Sequence, residues 1–280
     1  MVEIKDLTMR FGKQLLFENV NLSLDKGRRY GLIGANGAGK STLLKILSGQ
    51  IEASSGEILI QSGLKIGVLG QDQFAFESFS VKDAVLYGNK RLYDAVREKT
   101  QLYEAGEFND EINERLGELE MICAEEDPAY EYETRIEKIL SSLGLNDFDK
   151  KMSEIETSDK FKVLLAQVLF PRPDVLFLDE PASALDIKNQ DRVLSLIANL
   201  RSNSDASIVF TTHQPNHALA VADRTLILRN DLSYNYGASN EILTEAALSS
   251  LYGVRIKTAK FDVEGEQTTS ITQIFSTQVR

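Results

Sequence analysis

One octapeptide combines residue types and spacing that can bind phosphate: Gly34-Ala35-Asn36-Gly37-Ala38-Gly39-Lys40-Ser41, a match to G-x-x-x-x-G-K-[ST]. A glycine-rich turn exposes successive backbone N–H groups, and the helix N-terminus behind it adds partial positive charge. Lys40 is expected to lie along the β- and γ-phosphates of ATP, and the Ser41 hydroxyl to bind Mg²⁺. The residues predicted to hold the nucleotide are Gly34, Asn36, Gly37, Ala38, Gly39, Lys40, Ser41 and Thr42.

A phosphate loop of this kind needs a carboxylate to hold the metal ion, and two acidic residues follow an apolar run. Residues 175–178 are typical of a buried strand, and Asp179 and Glu180 come directly after it. Because ligands gather beyond the carboxyl ends of parallel strands, both carboxylates are expected beside the phosphate loop. Asp179 is predicted to hold Mg²⁺ through water, and Glu180 to act as general base on the attacking water.

The elements around these residues predict an α/β fold with mixed N-terminal strands and a parallel core sheet. Strands are expected at 2–7, 16–24, 29–33, 56–61, 65–69, 175–178 and 207–211. Helices are expected at 40–47, 160–170, 190–200 and about 241–251, with three more between 81 and 145, divided near Gly106 and Asp127. Strand 175–178, helix 190–200 and strand 207–211 form one right-handed crossover unit.

The change to a helical pattern at Val81 divides the chain. We predict a nucleotide-binding core with an N-terminal β subdomain at 1–80 and 160–228. A helical subdomain is expected at 81–159 and a C-terminal extension at 229–280, where the part beyond Lys257 is polar.

Composition excludes several classes of protein. With 42% hydrophobic and 26% charged residues, the chain is typical of a soluble globular protein. It has no apolar run long enough to cross a membrane and no secretory signal at its start, so a cytoplasmic location is expected. A single cysteine and two histidines exclude an internal disulfide and a Cys/His zinc site.

The net charge of −11 argues against broad binding to nucleic acid, and DNA is not an expected partner. Thirteen acidic residues and only two arginines lie between Tyr103 and Glu137. A solvated helical face is the favoured interpretation of this acidic segment, and a dedicated acidic binding surface is the alternative.

With these motifs in place, the chain resembles a nucleotide-binding domain of the ATP-binding cassette (ABC) superfamily, a P-loop NTPase fold. Residues 179–186 (Asp-Glu-Pro-Ala-Ser-Ala-Leu-Asp) resemble its Walker B motif and D-loop, with Ala182 where threonine is usual. The resemblance implies that His213 contacts the γ-phosphate as a switch histidine. It implies further that Gln71 senses the metal and the partner, and that Phe11 stacks on adenine.

Alternatives accompany these assignments. Phe11 could be a core aromatic residue, and Gln73 competes with Gln71 because both lie in the same loop. His217 is predicted to be a helical surface residue. Cys123 is predicted to be a small buried hydrophobic residue.

Cassette domains work in pairs, in which each ATP is completed by the partner's Leu-Ser-Gly-Gly-Gln signature. The equivalent position here is Ile155-Glu156-Thr157-Ser158-Asp159, which has no glycine and two carboxylates. Glycines let a helix N-terminus approach phosphate, whereas acidic side chains repel it. We therefore expect weak hydrolysis by the chain alone, and a partner cassette with an intact signature.

Two branches of the superfamily are represented. Residues 1–170 resemble the first cassette of an ABC-F protein, the soluble ribosome-associated class, whereas residues 174–255 resemble the ATPase subunit of a metal-chelate or cobalamin importer. These likenesses suggest a mosaic with a junction between Phe170 and Asp174. Three uses remain open: an importer subunit that docks a membrane permease at the inner face of the plasma membrane, an ABC-F fragment acting on ribosomes, and an engineered cassette without a cellular task.

Overall fold

The computed structural model describes residues 1–70, 76–106, 109–183, 185–203 and 206–275. The chain forms two compact units, a core unit (Met1–Gln71 with Asp174–Arg280) and a helical unit (Asp72–Pro173). These boundaries differ from the sequence-based division, because residues 160–173 belong to the helical unit and not to the core. By contacts, residues 229–275 group with the core unit.

Eleven strands occur in the described residues, all in the core unit. They are β1 (Val2–Phe11), β2 (Gln14–Leu24), β3 (Arg29–Gly34), β4 (Ser55–Ile60), β5 (Ile66–Leu69), β6 (Val175–Leu178), β7 (Ser207–Thr212), β8 (Arg224–Leu228), β9 (Tyr234–Ala238), β10 (Arg255–Val263) and β11 (Glu266–Ile274). The helices are α1 (Lys40–Leu47), α2 (Val81–Leu86), α3 (Lys90–Ala105), α4 (Asp110–Glu126), α5 (Tyr132–Ser142), α6 (Thr157–Leu169), α7 (Ile187–Asn203), α8 (Pro215–Val221), α9 (Ser239–Ile242) and α10 (Glu245–Tyr252). Helices α2 to α6 belong to the helical unit.

The main sheet has the strand order β5-β6-β7-β3-β8-β9. Its first five strands are parallel, as expected from the sequence, and β9 runs antiparallel to β8. Every residue of β6 and β7 is buried, which explains their continuous apolar character. Because β6, β7 and β3 are neighbours, the loops that follow them emerge at the same edge of the sheet.

A second sheet, in the order β2-β1-β4, is antiparallel and shares one core with β3 and α1. Phe17 from β2 and Leu43 from α1 are each 1% exposed in this core. Burying one such side chain contributes about 1.5–3 kcal/mol. This packing fixes the start of α1, and therefore the loop before it, against the strands.

Among its described residues, the helical unit contains one more helix between 81 and 145 than the sequence pattern predicted. The two expected breaks occur, with Gly106 in a left-handed conformation after α3 and Asp127 after α4. A further break precedes α3, where the Asn89 side chain accepts a hydrogen bond from the Leu92 N–H and starts a new helix.

The acidic segment is an exposed helical face that carries ion pairs between α3 and α4. Arg91 contacts both Glu125 and Glu126, at 2.6 and 2.7 Å. Arg115 donates to Glu98 at 2.7 Å, so basic residues offset part of the local negative charge. These contacts agree with the favoured interpretation of the segment.

The C-terminal part of the core unit has more structure than expected. The helix predicted at about 241–251 is two short helices, α9 and α10, and the Thr244 side chain caps the second by accepting from the Ala247 N–H. Strands β10 and β11 form an antiparallel hairpin where a polar tail was predicted. Most of its described residues are exposed. No helix within the described ranges is long and apolar enough to span a membrane.

Candidate functional site

The phosphate loop lies between β3 and α1 and leads into the first turn of that helix. Gly39 is the N-cap residue at φ 92°, it has no side-chain cap, and no acidic residue lies in the first turn. A Cβ atom at Gly39 would come within 3.0 Å of the Phe17 ring, so only glycine fits both the angle and the space. The loop therefore has the geometry of an anion-binding site.

The Lys40 side chain folds back over the loop and is only 6% exposed. Its Nζ donates to the backbone oxygens of Gly34 at 3.1 Å and Ala35 at 3.4 Å. The same ammonium lies 3.7 Å from Glu180 Oε1. A buried cation held in this way is positioned to meet negative charge entering the loop.

Asp179, at the end of β6, is joined directly to the phosphate loop. The Ser41 hydroxyl donates to Asp179 Oδ1 at 2.9 Å. The hydroxyl of Thr211, at the end of β7, donates to the same oxygen at 2.7 Å. The carboxylate and hydroxyl expected to serve the metal ion are therefore neighbours.

Glu180 adopts a left-handed backbone conformation, at φ 47°. Its N–H donates to Thr211 Oγ1 at 2.7 Å, which holds this strained residue in place. The Glu180 carboxylate lies between two basic groups, because His213 Nδ1 is 3.6 Å from Oε2 and Lys40 approaches the other oxygen.

Thr211 is a site residue that the sequence reasoning missed. It is fully buried, and it bonds both acidic residues through one hydroxyl, which accepts from one and donates to the other. The sequence feature that could have indicated Thr211 is a polar residue near the end of an apolar strand, two positions before His213. A threonine there is also typical of ordinary strand sequences, so the signal is weak.

An open cleft of about 510 Å³ faces the phosphate loop. Its lining includes six of the eight predicted loop and helix residues, together with residues of the β1–β2 hairpin. The lining residues are Phe11, Gln14, Leu16, Asn36, Gly37, Gly39, Lys40, Ser41, Thr42 and Glu180. Its volume lies within the usual range for small-molecule sites.

Gly34 and Ala38, the other two predicted residues, lie beneath the cleft. A Cβ atom at Gly34 would come 2.7 Å from the Leu228 backbone oxygen, so the glycine permits close packing of the strands. Ala38 is 2% exposed and its N–H donates to the Ala35 oxygen. Both residues shape the loop from behind.

Phe11 is 56% exposed at the end of β1 and lines the cleft, so it is not the core aromatic residue of the alternative interpretation. Stacking on adenine stays a prediction. Gln71 and its competitor Gln73 lie outside the described residues, and their roles in sensing metal and partner also stay predictions.

His217 corrects one expectation. It lies in α8 as predicted, but it is 7% exposed and not a surface residue. Its Nδ1 lies 3.3 Å from Thr212 Oγ1, and burial, with a smaller contribution from His213, lowers its pKa. Cys123 is buried, as predicted.

In the helical unit, α6 begins where the signature would stand. Glu156 is its N-cap residue without a side-chain cap, and Asp159 lies in the first turn. Lys162 contacts Asp159 at 2.7 Å. The helix N-terminus therefore carries the two carboxylates that the sequence placed there.

Comparison with protein families places these features in context. The family model described as ABC transporter matches residues 17–183, a stretch that includes the phosphate loop and both acidic residues after β6. A solved chain from a transporter described as the metal-chelate type, in an inward-facing conformation, superposes with a TM-score of 0.77. The two chains are 25% identical, and each is covered to 99%.

Curated relatives are of two lengths. The uncharacterized ABC transporter ATP-binding protein YkpA of Bacillus subtilis is 40% identical over 215 residues, which cover 76% of this chain but 39% of YkpA. The molybdate import ATP-binding protein MolC of Haemophilus influenzae is 30% identical over 241 residues, which cover 86% of this chain and 83% of MolC. The chain thus spans less than half of one relative and most of the other.

Proposed function

Because the chain belongs to the ABC transporter family, we propose that its core unit binds Mg-ATP and hydrolyses it together with a partner cassette. The single observation that carries this proposal is the convergence of three sheet loops. The phosphate loop after β3, the acidic pair after β6 and the switch histidine after β7 meet within hydrogen-bond or ion-pair distance.

ATP would lie along the 510 Å³ cleft with its phosphates on the first turn of α1. Lys40 would exchange its bonds to loop carbonyl oxygens for bonds to phosphate oxygens, while the backbone N–H groups of the loop bind the rest of the charge. Phe11 at the rim, with its exposed ring, would stack on the adenine.

The donor set suits Mg²⁺. Ser41 and Asp179 offer a hydroxyl and a carboxylate oxygen, the hard ligands that this ion prefers. No group of three or more His, Cys, Asp or Glu side chains suited to a metal exists among the described residues, which fits an ion that takes its other ligands from phosphate and water. When bound, Mg²⁺ would neutralise charge on the phosphates. Gln71 is proposed as a further ligand of the metal ion.

Glu180 would act as general base. Its carboxylate faces the cleft, and the Thr211 bond fixes its backbone, so a water beside the terminal phosphate could transfer a proton to it. His213 would contact the γ-phosphate from the neighbouring loop, where its ring already lies beside Glu180.

A second cassette would supply the missing signature. Glu156 and Asp159 give the α6 N-terminus negative charge, so two copies of this chain would not close tightly around ATP. Weak hydrolysis by the isolated chain follows from this proposal.

As for biological use, the chain would serve as the energy-coupling subunit of an importer. MolC is named as a molybdate import protein, and the structural relative belongs to a metal-chelate type transporter. The helical unit would dock a membrane permease, which would hold the chain at the cytoplasmic face of the membrane. The ribosome-associated use and the mosaic origin stay predictions from sequence. Testing whether the chain copurifies with a permease or sediments with ribosomes would separate the importer use from the ribosomal use.

Titration with Mg-ATP tests the proposal. Lys40→Ala should abolish measurable binding, because the ammonium is the only side-chain cation lining the cleft within the described residues. Lys45→Ala is the matched control, since Lys45 lies one turn further along the same helix and is exposed. Equal affinity of the two variants for Mg-ATP would contradict the assignment of residues 34–41 as the phosphate-binding loop.

A further inference from the structure

The switch segment (residues 212–217), which carries His213, is held by the C-terminal segment (residues 239–275) at two points. The Tyr252 hydroxyl, at the end of α10, donates to the backbone oxygen of His213 at 3.0 Å. The Asn216 side chain forms a pair of bonds with the backbone of Ile271 in β11, accepting from its N–H at 2.8 Å and donating to its oxygen at 2.9 Å.

Tyr252 is a firm anchor because α10 is itself fixed. Leu248 of the same helix is fully buried, and Glu245 at its start bonds to β10 through the N–H of Thr258 and the ammonium of Lys257, each at 2.7 Å. Burial raises the pKa of Tyr252 to about 12, so its hydroxyl keeps the proton that it donates.

Asn216 anchors the other end of the segment. Its amide forms with Ile271 the same two-bond pattern that a neighbouring strand would form. Across His213, the Thr212 hydroxyl accepts from the Gln214 N–H at 3.1 Å. The backbone on both sides of His213 is therefore tied down.

The His213 ring depends on this backbone for its position. Its side chain is 44% exposed, so packing alone does not fix it, yet its Nδ1 lies 3.6 Å from the carboxylate of Glu180. A shift of the backbone by an ångström would change its distance to any phosphate in the cleft, and misplacement of this size is costly in catalysis.

We infer that Tyr252 is a positioning residue for His213, so that the C-terminal segment sets the hydrolytic competence of the cleft. This inference rests on the proposed function, because His213 matters only if a triphosphate is bound. The phosphate loop, which would supply most contacts to the nucleotide, lies outside the C-terminal segment, so nucleotide affinity should depend on Tyr252 less than the hydrolysis rate does.

The test compares Tyr252→Phe with Tyr236→Phe. Tyr236 provides the matched control because its hydroxyl also donates to a backbone oxygen, that of Ser23, at 2.6 Å. Labelling the two histidines of the chain with ¹³C gives two imidazole Cε1–H signals, whose relaxation reports ring motion. In the same samples, hydrogen exchange is measured at the backbone N–H groups of His213, Gln214, Asn216 and His217.

In Tyr252→Phe we expect exchange in the switch segment to rise about fivefold, the effect of losing one neutral hydrogen bond, and the His213 ring to become more mobile. The His217 signal and the control variant should match the wild type. Single-turnover hydrolysis at saturating Mg-ATP should slow about fivefold, with a smaller change in Mg-ATP affinity. Asn216→Ala should act in the same direction.

Unchanged exchange and ring motion in Tyr252→Phe would overturn the inference, as would a mobile ring with an unchanged hydrolysis rate. If the wild type hydrolyses too slowly to measure, the imidazole and exchange data decide alone. Failure of the wild type to bind Mg-ATP would instead overturn the proposed function, and the two failures are therefore distinct.

Discussion

Thr211→Val is the substitution that tests the architecture of the site most sharply. Valine has nearly the same shape as threonine but lacks the hydroxyl, which in this fully buried residue donates to Asp179 and accepts from the Glu180 N–H. The change therefore removes a bond to a carboxylate and leaves a backbone N–H of a strained residue without its partner.

A hydrogen bond to a charged group contributes about 1.5–3 kcal/mol, and an unpaired buried donor costs about 1–3 kcal/mol. Because the two effects share one hydroxyl and are not additive, we expect a loss of about 2–4 kcal/mol in unfolding free energy. At roughly 2–4 °C per kcal/mol, the melting temperature should fall by roughly 4–16 °C. Mg-ATP affinity should fall as well, because Asp179 and Glu180 lose their common support.

Two controls separate stability from function. Thr211→Ser keeps the hydroxyl and loses only a methyl group, so it should cost about 1 kcal/mol and bind Mg-ATP normally. Thr225→Val removes an equally buried hydroxyl, which bonds to Ser239 at 2.8 Å away from the cleft, and should lower stability without changing affinity. Melting curves and Mg-ATP titrations give both quantities. If Thr211→Val behaved like Thr225→Val in the titration, Thr211 would be structural only.

Three other outcomes are expected. Glu180→Gln with Mg-ATP should remain monomeric in light scattering, because Glu156 and Asp159 repel phosphate at the α6 N-terminus, and a tight ATP-dependent dimer would refute this reasoning. Burial lowers the pKa of His217 in the folded chain. As pH falls through about 6.5, this imidazole is therefore protonated in the unfolded chain before it is protonated in the folded chain, which favours unfolding. Denaturation midpoints should therefore decline between pH 7 and 5.5, less so in His217→Asn, and greater stability at pH 5.5 would contradict this. Removing Mg²⁺ with EDTA should weaken ATP binding in the wild type, and in Ser41→Ala this metal dependence should be smaller; equal dependence in both would exclude Ser41 as a ligand.

The sequence predicted the centre of the site well because its signals are local. Helix 40–47 and strand 175–178 have the bounds expected for them, since the glycine-rich turn and the apolar run mark those ends directly. Parallel packing of the buried strands then places Asp179 next to Ser41. Each of these steps follows from a few neighbouring residues.

Features that depend on distant partners were not predicted. The role of Thr211 arises only when β6 and β7 lie side by side, and the burial of His217 only when α8 packs on the sheet. Asn216 and Glu245 hold the β10–β11 hairpin to the rest of the core unit, and both precede it in the chain. A two-stranded hairpin is marginally stable by itself, so its order depends on these contacts.

The most direct measurement is a crystal structure with Mg²⁺ and a slowly hydrolysed ATP analogue. We predict the β- and γ-phosphate oxygens within about 3 Å of Lys40 Nζ and of backbone N–H groups in the first turn of α1, with the metal ion beside Ser41 and Asp179. A nucleotide bound elsewhere, with the Lys40 ammonium still on the Gly34 and Ala35 oxygens, would contradict the assignment of residues 34–41 as the phosphate-binding loop.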